Sequence, residues 1–343
     1  MAAETMRQLI RDKVVLITGG TGTVGVALAK RLFTYHPRAV RIFSRDENKQ
    51  YFLRDQWAQH ANVRFFIGDV RERERLKRAM ETCDIVFHLA ALKHVESCEY
   101  NPFEAIRTNI VGTQNVIDTA LDHEIPQVVF TSTDKSVNPA NAMGASKLMA
   151  EKLMVAANQY KGRRTSTFAS VRFGNVLASS GSVIPTFVQR LQLGLPIEVT
   201  HPDMTRYVIT MDESVDLLLD ALTLCRGGEV LIRKMPVIRI LDLAEELLAL
   251  HNLPVDEKHL RIVGIRAGEK LHEELVTSEE AARTFDIGDY FVVQPQIGET
   301  DRPAGKPLPP GIHSSEAGPL LSKEEIGDLL RATCPELFPG VSR

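Results

Sequence analysis

The chain has 343 residues, and 41 basic against 44 acidic side chains leave a formal net charge of −3. At 44% hydrophobic and 25% charged residues, the composition is that of a globular protein with a large core, and the length predicts roughly two domains. The small net charge gives no electrostatic reason to expect nucleic acid or an anionic membrane as a partner. No apolar run approaches the roughly 18 residues of a membrane helix, and the polar first residues lack a signal-peptide core, so we expect a cytoplasmic protein.

The four cysteines offer no redox or metal signature. Cys83, Cys98, Cys225 and Cys334 are widely spaced, and none forms a CxxC pair. We therefore expect neither a disulfide framework nor a zinc site, and no other metal site is predicted.

From Lys13 to about Val171, short β-branched apolar runs alternate with helical patterns. The runs predict six strands, at residues 14–18, 39–43, 63–67, 84–90, 127–132 and 166–173. Between them, apolar residues recur at three- and four-residue spacing, as at 24–33 and 104–121, which is typical of amphipathic helices. This alternation predicts right-handed crossovers and an α/β fold with a doubly wound parallel sheet, the Rossmann architecture.

Beyond residue 174 the pattern is less regular. Three further helices are predicted, at 212–224, 240–250 and 322–333, the last with a serine cap and a capping-box glutamate. The Pro- and Gly-rich stretch 299–311 predicts an irregular C-terminal arm. We expect residues 1–174 to form a cofactor-binding Rossmann domain. Residues 175–343 would form a smaller α+β portion, mainly substrate-binding, interleaved with helix and strand returns to the first domain.

A glycine-rich loop, TGGTGTVG, follows the first predicted strand and opens the first helix. It fits both the GxGxxG and the GxxGxxG spacing. Glycines let the backbone turn tightly and approach a pyrophosphate, which is favoured at the positive N-terminus of a helix. In this strand–loop–helix context the motif predicts a dinucleotide site, with contacts from Thr18, Gly19, Gly22, Thr23 and Gly25.

The second predicted strand ends in IFSRDENKQ, where NAD-selective sites usually carry an acid for the ribose diol. Arg45, supported by Ser44 and Lys49, suits a 2′-phosphate, because a guanidinium forms paired hydrogen bonds to phosphate oxygens. These residues favour NADP. Asp46 or Glu47 could instead bind the ribose diol of NAD, so NAD stays open as the cofactor. A third alternative is that these charged residues form a solvated loop with no cofactor contact.

The fifth predicted strand runs into TSTDKSVNPANAMGASK. Ligands bind beyond the carboxyl ends of parallel strands, so Thr133, Asp134 and Lys135 should face the crevice. Met143 and Lys147 lie one turn apart on a shared helix face. Short-chain dehydrogenases carry Ser or Thr followed by Tyr-x-x-x-Lys, but here methionine stands at the tyrosine position and cannot transfer a proton. Either the protein is inactive, or Asp134 and Lys135 take over the acid–base work.

These motifs resemble those of the extended short-chain dehydrogenase/reductases that act as nucleotide-sugar 4,6-dehydratases, in particular UDP-N-acetylglucosamine 4,6-dehydratases. Further matching segments are FFIGDVRE, LAALKHVESCEYNP, TNIVGTQNV, RFGNVLASSGSVIP, DMTRY and GIRAGEKLHEEL. The resemblance extends from residue 18 to about residue 275. With methionine for tyrosine and no membrane segment, the chain resembles the soluble type, which includes capsule-precursor dehydratases, and its C5-inverting members.

The resemblance implies a tightly bound NADP that removes hydride from sugar C4 and returns it to C6. Between these steps, a base removes the acidified C5 proton and an acid assists the C6 hydroxyl to leave as water. Our hypothesis assigns C5 to Lys135 and the C6 hydroxyl to Asp134, while Thr133 and Lys147 orient the C4 hydroxyl and the ribose. As a base Lys135 must be a free amine, so its pKa must be depressed by burial or by Lys147. A surface ion pair between Asp134 and Lys135 is the alternative.

The resemblance also implies contacts beyond these motifs. It assigns cofactor contacts to Asp69 and Val70, and substrate contacts to Lys93, Asn175, Arg206, Arg266 and Glu269. The two arginines would clamp a diphosphate, because arginine matches phosphate geometry, and Glu269 would accept ribose hydroxyls. For each of these residues a structural salt bridge or solvated position stays open.

Four other positions carry expectations, two of them from the same resemblance. Asn109 resembles an asparagine that braces the active site of the superfamily. Arg172 follows the sixth strand's apolar core, where the family binds pyrophosphate and sugar. His88, within VFHLAA, is expected to be a hydrogen-bonded strand histidine, while His94 stays ambiguous.

The predicted product is a UDP-4-keto-6-deoxy-N-acetylhexosamine for surface polysaccharide or glycan biosynthesis. A C5-retaining dehydratase, a UDP-sugar 4-epimerase and a non-catalytic NADP-binding protein stay open. STDK in place of a Ser- and Tyr-based site argues against the epimerase. Apolar stripes at 105–121 and 142–155 suggest a homo-oligomer, a hexamer or a dimer, although such stripes can equally be core.

Overall fold

The computed structural model describes residues 2–298, 303–311 and 313–335. Its strands are β1 Val14–Thr18, β2 Ala39–Ser44, β3 Val63–Ile67, β4 Ile85–His88, β5 Gln127–Thr133, β6 Thr167–Phe173, β7 Asn175–Val176, β8 Ile197–Val199, β9 Thr205–Ile209, β10 Val230–Arg233, β11 Val237–Arg239, β12 Leu260–Ile262, β13 Glu274–Val276, β14 Thr284–Asp286, β15 Tyr290–Val293, β16 Lys306–Pro307 and β17 His313–Ser314. Its helices are α1 Ala2–Ile10, α2 Thr23–Phe33, α3 Glu47–Gln56, α4 Arg73–Met80, α5 Val95–Tyr100, α6 Pro102–Ala105, α7 Gly112–Asp122, α8 Ala142–Tyr160, α9 Val183–Gln192, α10 Met211–Leu224, α11 Ile240–Leu250, α12 Ser278–Ala281 and α13 Lys323–Thr333.

A ten-stranded sheet organises the molecule, in the order β16-β14-β15-β10-β6-β5-β4-β1-β2-β3. Seven neighbouring strands pair in parallel, in the spatial order β10-β6-β5-β4-β1-β2-β3. Strands β15, β14 and β16 extend the sheet beyond β10 with antiparallel pairs. This confirms the predicted doubly wound α/β fold. The strand order reverses between β1 and β4, so a crevice opens at their carboxyl ends.

Both faces of the sheet are covered, which explains why β1 is apolar and buried along its whole length. Val15 and Ile17 pack on one face with Leu28 and Leu32 of α2. Val14 and Leu16 point to the other face and join the cluster under α4, α7 and α8. A third cluster lies apart from the sheet, between α9, α11 and α13.

The chain beyond residue 174 contributes strands both to the large sheet and to three small sheets. Strands β10, β14, β15 and β16 join the large sheet, whereas β11-β9-β7, β12-β8 and β13-β17 form small sheets of their own. Helices α10, α11 and α13 fall where the sequence predicts them, and α10 and α13 begin with full capping boxes. Because strands from both parts share one sheet, we keep the division at residue 174 as a proposal.

Two predicted segments differ from the structure. The helix expected at 104–121 is instead α6, a π-helical turn at Ile106–Val111 and then α7. The widened turn carries Asn109, whose side chain leaves the helix to bond neighbouring elements. Within the expected irregular arm, Lys306–Pro307 forms the edge strand β16 beside Asp286; residues 299–302 lie outside the described part of the chain.

Arg172 of β6 is fully buried, and its guanidinium joins two carboxylates. Its Nη2 lies 2.6 Å from Glu151 Oε1 of α8, and its Nη1 lies 2.9 Å from Glu280 Oε2 of α12. Nη1 also donates to the carbonyl of Leu275 at 2.7 Å. The expected pyrophosphate contact is therefore wrong for Arg172, because its donors are consumed by a buried ion-pair triad that joins the sheet to two helices.

Replacing Arg172 with methionine should strongly destabilise the protein. Glu151 would be left as a buried carboxylate without its cation, and Glu280 would keep only Arg283 at 3.7 Å. Breaking a buried ion pair in this way typically costs about 3–5 kcal/mol of unfolding free energy. Denaturant unfolding measures this loss. As a control, Arg331→Met removes only a surface pair with Asp328 and should cost under about 1 kcal/mol. Equal losses in the two variants would contradict this account of Arg172.

Candidate active site and cofactor cradle

The glycine loop lies between β1 and α2 and packs against the end of β4. Gly19 has a φ of +66°, and a Cβ there would lie 2.8 Å from the backbone nitrogen of Ala90. A side chain would therefore push apart the two strand ends that border the crevice. Helix α2 starts at Gly22, which offers no side-chain cap, so the first amides of the helix can serve an anion.

Thr18 takes part in a buried hydrogen-bond chain beneath this loop. Its hydroxyl bonds His88 Nδ1 at 2.7 Å, and His88 Nε2 bonds the Thr113 hydroxyl at 3.0 Å. Burial, aided by the charge of Lys147, lowers the pKa of His88 to about 3, so the ring is neutral at physiological pH. The structure thus gives Thr18 and His88 a supporting place below the cofactor crevice.

Ser44, at the end of β2, and the residues that follow it carry the predicted 2′-phosphate contacts. The Ser44 and Thr21 hydroxyls are 2.8 Å apart, and Arg45 is exposed, with Nη1 3.6 Å from Asp69 Oδ2. Asp46 caps α3 by accepting from the Lys49 amide at 3.0 Å, and that bond holds the pKa of Asp46 below its ordinary value. Asp46 is therefore already engaged as a cap, whereas Arg45 keeps a solvent-facing guanidinium.

Asp69 and Val70 follow β3 on the same side. The Asp69 carboxylate accepts from the Arg71 guanidinium at 2.7 Å and from the Arg71 amide at 3.0 Å. Val70 is buried in the core, and its carbonyl accepts from Asn115 at 3.0 Å. Their cofactor contacts remain a prediction.

The end of β5 holds the densest group of charges. Asp134 is fully buried, and its Oδ1 accepts from the Thr133 hydroxyl and from Lys135 Nζ, each at 2.9 Å. Its Oδ2 has no hydrogen-bond partner among the described residues. Helix α8 begins directly against this segment, since a Cβ on Gly144 would lie 2.1 Å from the Lys135 carbonyl oxygen. Only glycine at residue 144 allows this approach.

Lys135 is held as an ammonium. Besides Asp134, its Nζ lies 3.6 Å from Glu273 Oε1 and donates to Asn175 Oδ1 at 3.2 Å. Burial alone would lower the pKa of Lys135, but the two carboxylates outweigh it and raise the pKa above its ordinary value. The expected depressed pKa of Lys135 is therefore wrong, because sequence spacing did not reveal the second carboxylate.

Lys147, in contrast, has a strongly depressed pKa, and burial also lowers the pKa of Lys93. The Lys147 side chain is buried, and its Nζ lies 4.1 Å from the centroid of the Phe130 ring. Burial lowers its pKa to about 7, and Glu151, which would oppose this, is itself paired with Arg172. A buried ammonium facing an aromatic ring suits a ligand hydroxyl or phosphate that can complete its hydrogen bonds.

Met143 occupies the tyrosine position without reaching the cavity. It packs with Cys98 and Ala105 in a small apolar cluster. Nearby, Asn109 accepts from the Leu92 amide at 2.8 Å and donates to the Ser146 hydroxyl at 2.9 Å. Asn109 thus joins the loop after β4 to α8, and Met143 fills the apolar space between them.

The part of the chain beyond residue 174 that lies outside the large sheet consists of the small sheets with α9, α11 and α13, and we call it the second lobe. A cavity of about 440 Å³ lies between the end of the large sheet and this second lobe. Five residues predicted from sequence line it: Lys135, Asn175, Arg206, Arg266 and Glu269. Lys93 lies beside it, and its Nζ donates to the Ser180 carbonyl at 2.6 Å. His94, which the sequence left ambiguous, also lines the cavity. Nine further polar lining residues were not among the predicted site residues: Glu96, Ser97, Asn141, Ser182, Thr186, Arg190, Glu198, Thr200 and Glu273.

The two arginines expected to clamp a diphosphate differ in how many of their hydrogen-bond donors are engaged by the protein's own backbone. Arg206 donates to the carbonyls of Thr205, Lys270 and Leu271 at 2.7–3.1 Å, so most of its donors brace the chain. Arg266 is half-exposed, with contacts to Glu96 and Glu198 at 3.0 and 3.5 Å.

Glu198 also accepts from Arg190 Nη2 at 2.5 Å, so Arg190 and Arg266 flank one carboxylate at the cavity. Glu269 accepts from the Arg266 amide at 3.1 Å and so closes the turn that carries this arginine. Arg190 lies in α9, in a stretch where the sequence offered no motif.

These observations fit a nicotinamide dinucleotide. Gly19 leaves a cradle that a Cβ would fill, α2 presents uncapped amides, and the buried Lys147 side chain lies against Phe130 of β5. The parallel sheet with its order reversal at this crevice, together with Thr133 and Lys147, defines an extended short-chain dehydrogenase/reductase.

The chain belongs to the polysaccharide biosynthesis protein family, whose model matches residues 15–295. It is 39% identical over 339 residues to an inverting UDP-N-acetylglucosamine 4,6-dehydratase of Campylobacter jejuni, covering 95% of this chain and 99% of that protein. It is 42% identical over 284 residues to a UDP-glucose 4-epimerase of Rickettsia felis, covering 82% of each. An uncharacterized membrane protein of Methanocaldococcus jannaschii is 45% identical over 325 residues, covering 94% and 96%.

Among solved structures, the X-ray structure of Pen from Bacillus thuringiensis superposes with a TM-score of 0.88 at 40% identity. The match covers 94% of this chain and 99% of that one. The comparisons therefore confirm the predicted family resemblance, while they include both dehydratases and epimerases. In the described ranges, no helix has the length and apolar character required to cross a bilayer.

Lys147→Met should stabilise the cofactor-free protein in a pH-dependent way. Lys147 loses its proton near pH 7 in the folded state but near 10.5 when unfolded. Between these values the unfolded chain binds more protons, so wild-type stability rises by about 1.4 kcal/mol per pH unit from this group. The advantage of the methionine variant should be largest at or below pH 7 and shrink towards pH 9 in denaturant unfolding.

The matched control is Lys152→Met, on the exposed face of the same helix, which should show no such trend. An advantage of Lys147→Met that stays constant from pH 7 to pH 9 would contradict the depressed pKa.

Proposed function

We propose that the protein is a UDP-N-acetylglucosamine 4,6-dehydratase of the C5-inverting kind. It would form a UDP-4-keto-6-deoxy-N-acetylhexosamine for surface polysaccharide or glycan biosynthesis. The observation that carries this proposal is the Lys135 ammonium between the buried carboxylates of Asp134 and Glu273 at the cavity. Dehydration needs an acid and a base at adjacent sugar carbons, and this cluster offers both within one site.

We propose NADP as the cofactor. A bound nicotinamide dinucleotide would supply reversible hydride transfer. Gly19, Gly22, Thr23 and Gly25 would hold its pyrophosphate at the start of α2, and Lys147 its ribose. Arg45, with Ser44 and Lys49, would select the 2′-phosphate, since Asp46 is engaged as a helix cap.

The electrostatics favour revised roles for the residues after β5. Lys135, held as an ammonium, suits proton donation to the departing C6 hydroxyl. Asp134 would fix the position of that ammonium, and the Thr133 hydroxyl would orient the C4 hydroxyl of the sugar. At the far side of the cavity, Arg266 and Arg190 would bind the diphosphate, with Asn175, Lys93 and Glu269 as further substrate contacts.

A UDP-sugar 4-epimerase is the second candidate, supported by the similarity to the Rickettsia protein. An epimerase of this fold returns hydride to C4 and needs no group at C6. The buried acid–base cluster exceeds that need, whereas Met143 affects both candidates equally, since each begins with oxidation at C4. We therefore favour the dehydratase.

Incubation with UDP-N-acetylglucosamine and NADP in D₂O, followed by NMR, tests the function. We expect loss of water, deuterium at C5 and inversion of C5. Inversion at C4 without loss of water would instead establish the epimerase, and unchanged sugar would establish a non-catalytic binder. Asp134→Asn should lower turnover at least about 100-fold, because it loosens the Lys135 ammonium.

Arg45→Ala should weaken NADP binding about tenfold or more and leave NAD binding nearly unchanged, because only NADP presents the 2′-phosphate. Calorimetric titration of both dinucleotides measures the two affinities. Arg38→Ala, an exposed arginine at the opposite end of β2, is the matched control. Equal losses for NADP and NAD in Arg45→Ala would contradict the phosphate assignment.

We also propose a cytoplasmic homo-oligomer, a dimer or a hexamer. Of the predicted apolar stripes, Val116 and Ile117 are core, whereas Ile106, Val111 and Met149 are exposed. The neighbouring helices α5 and α6 also expose Tyr100, at 88%, and Phe103, at 67%. Such a concentration of exposed apolar side chains favours contact with a second copy.

A further inference from the structure

Glu273 is a buried carboxyl that reaches the cavity from outside the β5 segment. It directly precedes β13, only 2% of its surface is exposed, and it lines the cavity. Its backbone is fixed, because its amide donates to the Ser315 hydroxyl at 2.9 Å and its carbonyl accepts from the Ser315 amide at 2.8 Å. The position of its side chain is therefore set by the second lobe.

One oxygen of Glu273 is engaged and the other is not. Oε1 lies 3.6 Å from Lys135 Nζ and 3.7 Å from Arg206 Nε. Oε2 has no hydrogen-bond partner among the described residues. Burying a carboxylate oxygen without a donor is unfavourable, so its retention beside a ligand cavity points to a group that acts on the ligand.

The other unpartnered carboxylate oxygen of the cluster is Asp134 Oδ2, and it lies behind the cavity rather than on its wall. Lys135 reaches the cavity, but as an ammonium it has no lone pair to accept a proton. Of the three members of the cluster, Glu273 alone is a carboxylate that lines the cavity; its Oε2, like Asp134 Oδ2, is shielded from solvent and has no hydrogen-bond partner among the described residues.

We propose that Glu273 is the base that removes the C5 proton, with Lys135 as the acid for the C6 hydroxyl. This assignment rests on the proposed dehydratase function. It reverses the role first expected of Lys135 and brings in a residue from a different part of the chain.

The elimination balances within the pair once C4 is a ketone. The Glu273 carboxylate takes the C5 proton, the C5–H electron pair forms the C5–C6 double bond, and the C6–O bond breaks. The departing hydroxyl takes a proton from the Lys135 ammonium and leaves as water. Glu273 is then a carboxylic acid and Lys135 an amine, and proton transfer over the 3.6 Å between them restores the starting state.

The charged groups around Glu273 support a base of intermediate strength. They are Lys135, Asp134, Arg206 and Lys270. Burial raises the pKa of Glu273 above its ordinary value, although Lys135 opposes this shift. A raised pKa brings a carboxylate closer to the working pH, where a general base is most effective.

Two variants separate the roles of base and acid. In D₂O with UDP-N-acetylglucosamine and NADP, Glu273→Gln should still reduce the nicotinamide but incorporate deuterium at C5 at least about 100-fold more slowly. Lys135→Met should retain exchange at C5 of the recovered sugar while release of water falls at least about 100-fold. Absorbance of the reduced cofactor, NMR at C5 and mass spectrometry of the product give the three readouts.

Control variants exclude a purely structural effect. Glu274→Gln alters the adjacent carboxylate, which bonds Asn138 and lies outside the cavity wall, and should leave all three readouts near wild type. Glu273→Asp retains the carboxyl and should restore part of the exchange lost in Glu273→Gln.

The outcomes distinguish this inference from the proposed function. Wild-type protein that inverts C4 without releasing water would overturn the dehydratase and this role of Glu273 together. Dehydration by wild type with unimpaired C5 exchange in Glu273→Gln would overturn the role of Glu273 alone. A variant that loses nicotinamide reduction and C5 exchange in equal measure would also overturn it, since that pattern indicates a structural role.

Discussion

The contact on which the site depends is the Lys135 ammonium between two buried carboxylates. Asp134 comes from the end of β5, and Glu273 comes from the second lobe, 139 residues later by residue number. A buried charge without a partner is strongly unfavourable, so the cluster is stable only when both parts of the chain are in place. The same ion pairs that hold the lobe against the sheet thereby assemble the chemistry of the cavity.

Neighbouring residues hold in place the segments that carry Lys135 and Glu273. Gly144 lets α8 begin against the Lys135 carbonyl, and Arg206 uses its donors to fix the chain at residues 270–271, just before Glu273. Asn109, carried by a π-helical turn, holds the loop after β4 against α8. The proposed general acid Lys135 and base Glu273, 3.6 Å apart, require this rigidity, because proton transfer depends steeply on distance.

The two lysines of the site show how environment decides function. Lys135 and Lys147 lie 12 positions apart by residue number and are both shielded, yet their pKa values shift in opposite directions. Two carboxylates face Lys135, whereas Lys147 faces the ring of Phe130. The tyrosine that would share a face with Lys147 is replaced by Met143, which packs in an apolar cluster. In the proposed mechanism, proton transfer is therefore assigned to the group around Lys135 and not to the α8 face.

The sequence alone determined the parallel sheet, the glycine loop, the family resemblance and the segment after β5, because these follow from local periodicity and short motifs. It could not place Arg172, whose position in the chain resembles a ligand contact but whose guanidinium completes a buried triad. Nor could it choose between Glu273 and Glu274, since neighbouring side chains point in different directions and only β13 and Ser315 fix which one reaches the cavity. The tertiary structure alone decided the protonation of Lys135, because its pKa is set by a carboxylate that is distant in sequence and adjacent in space.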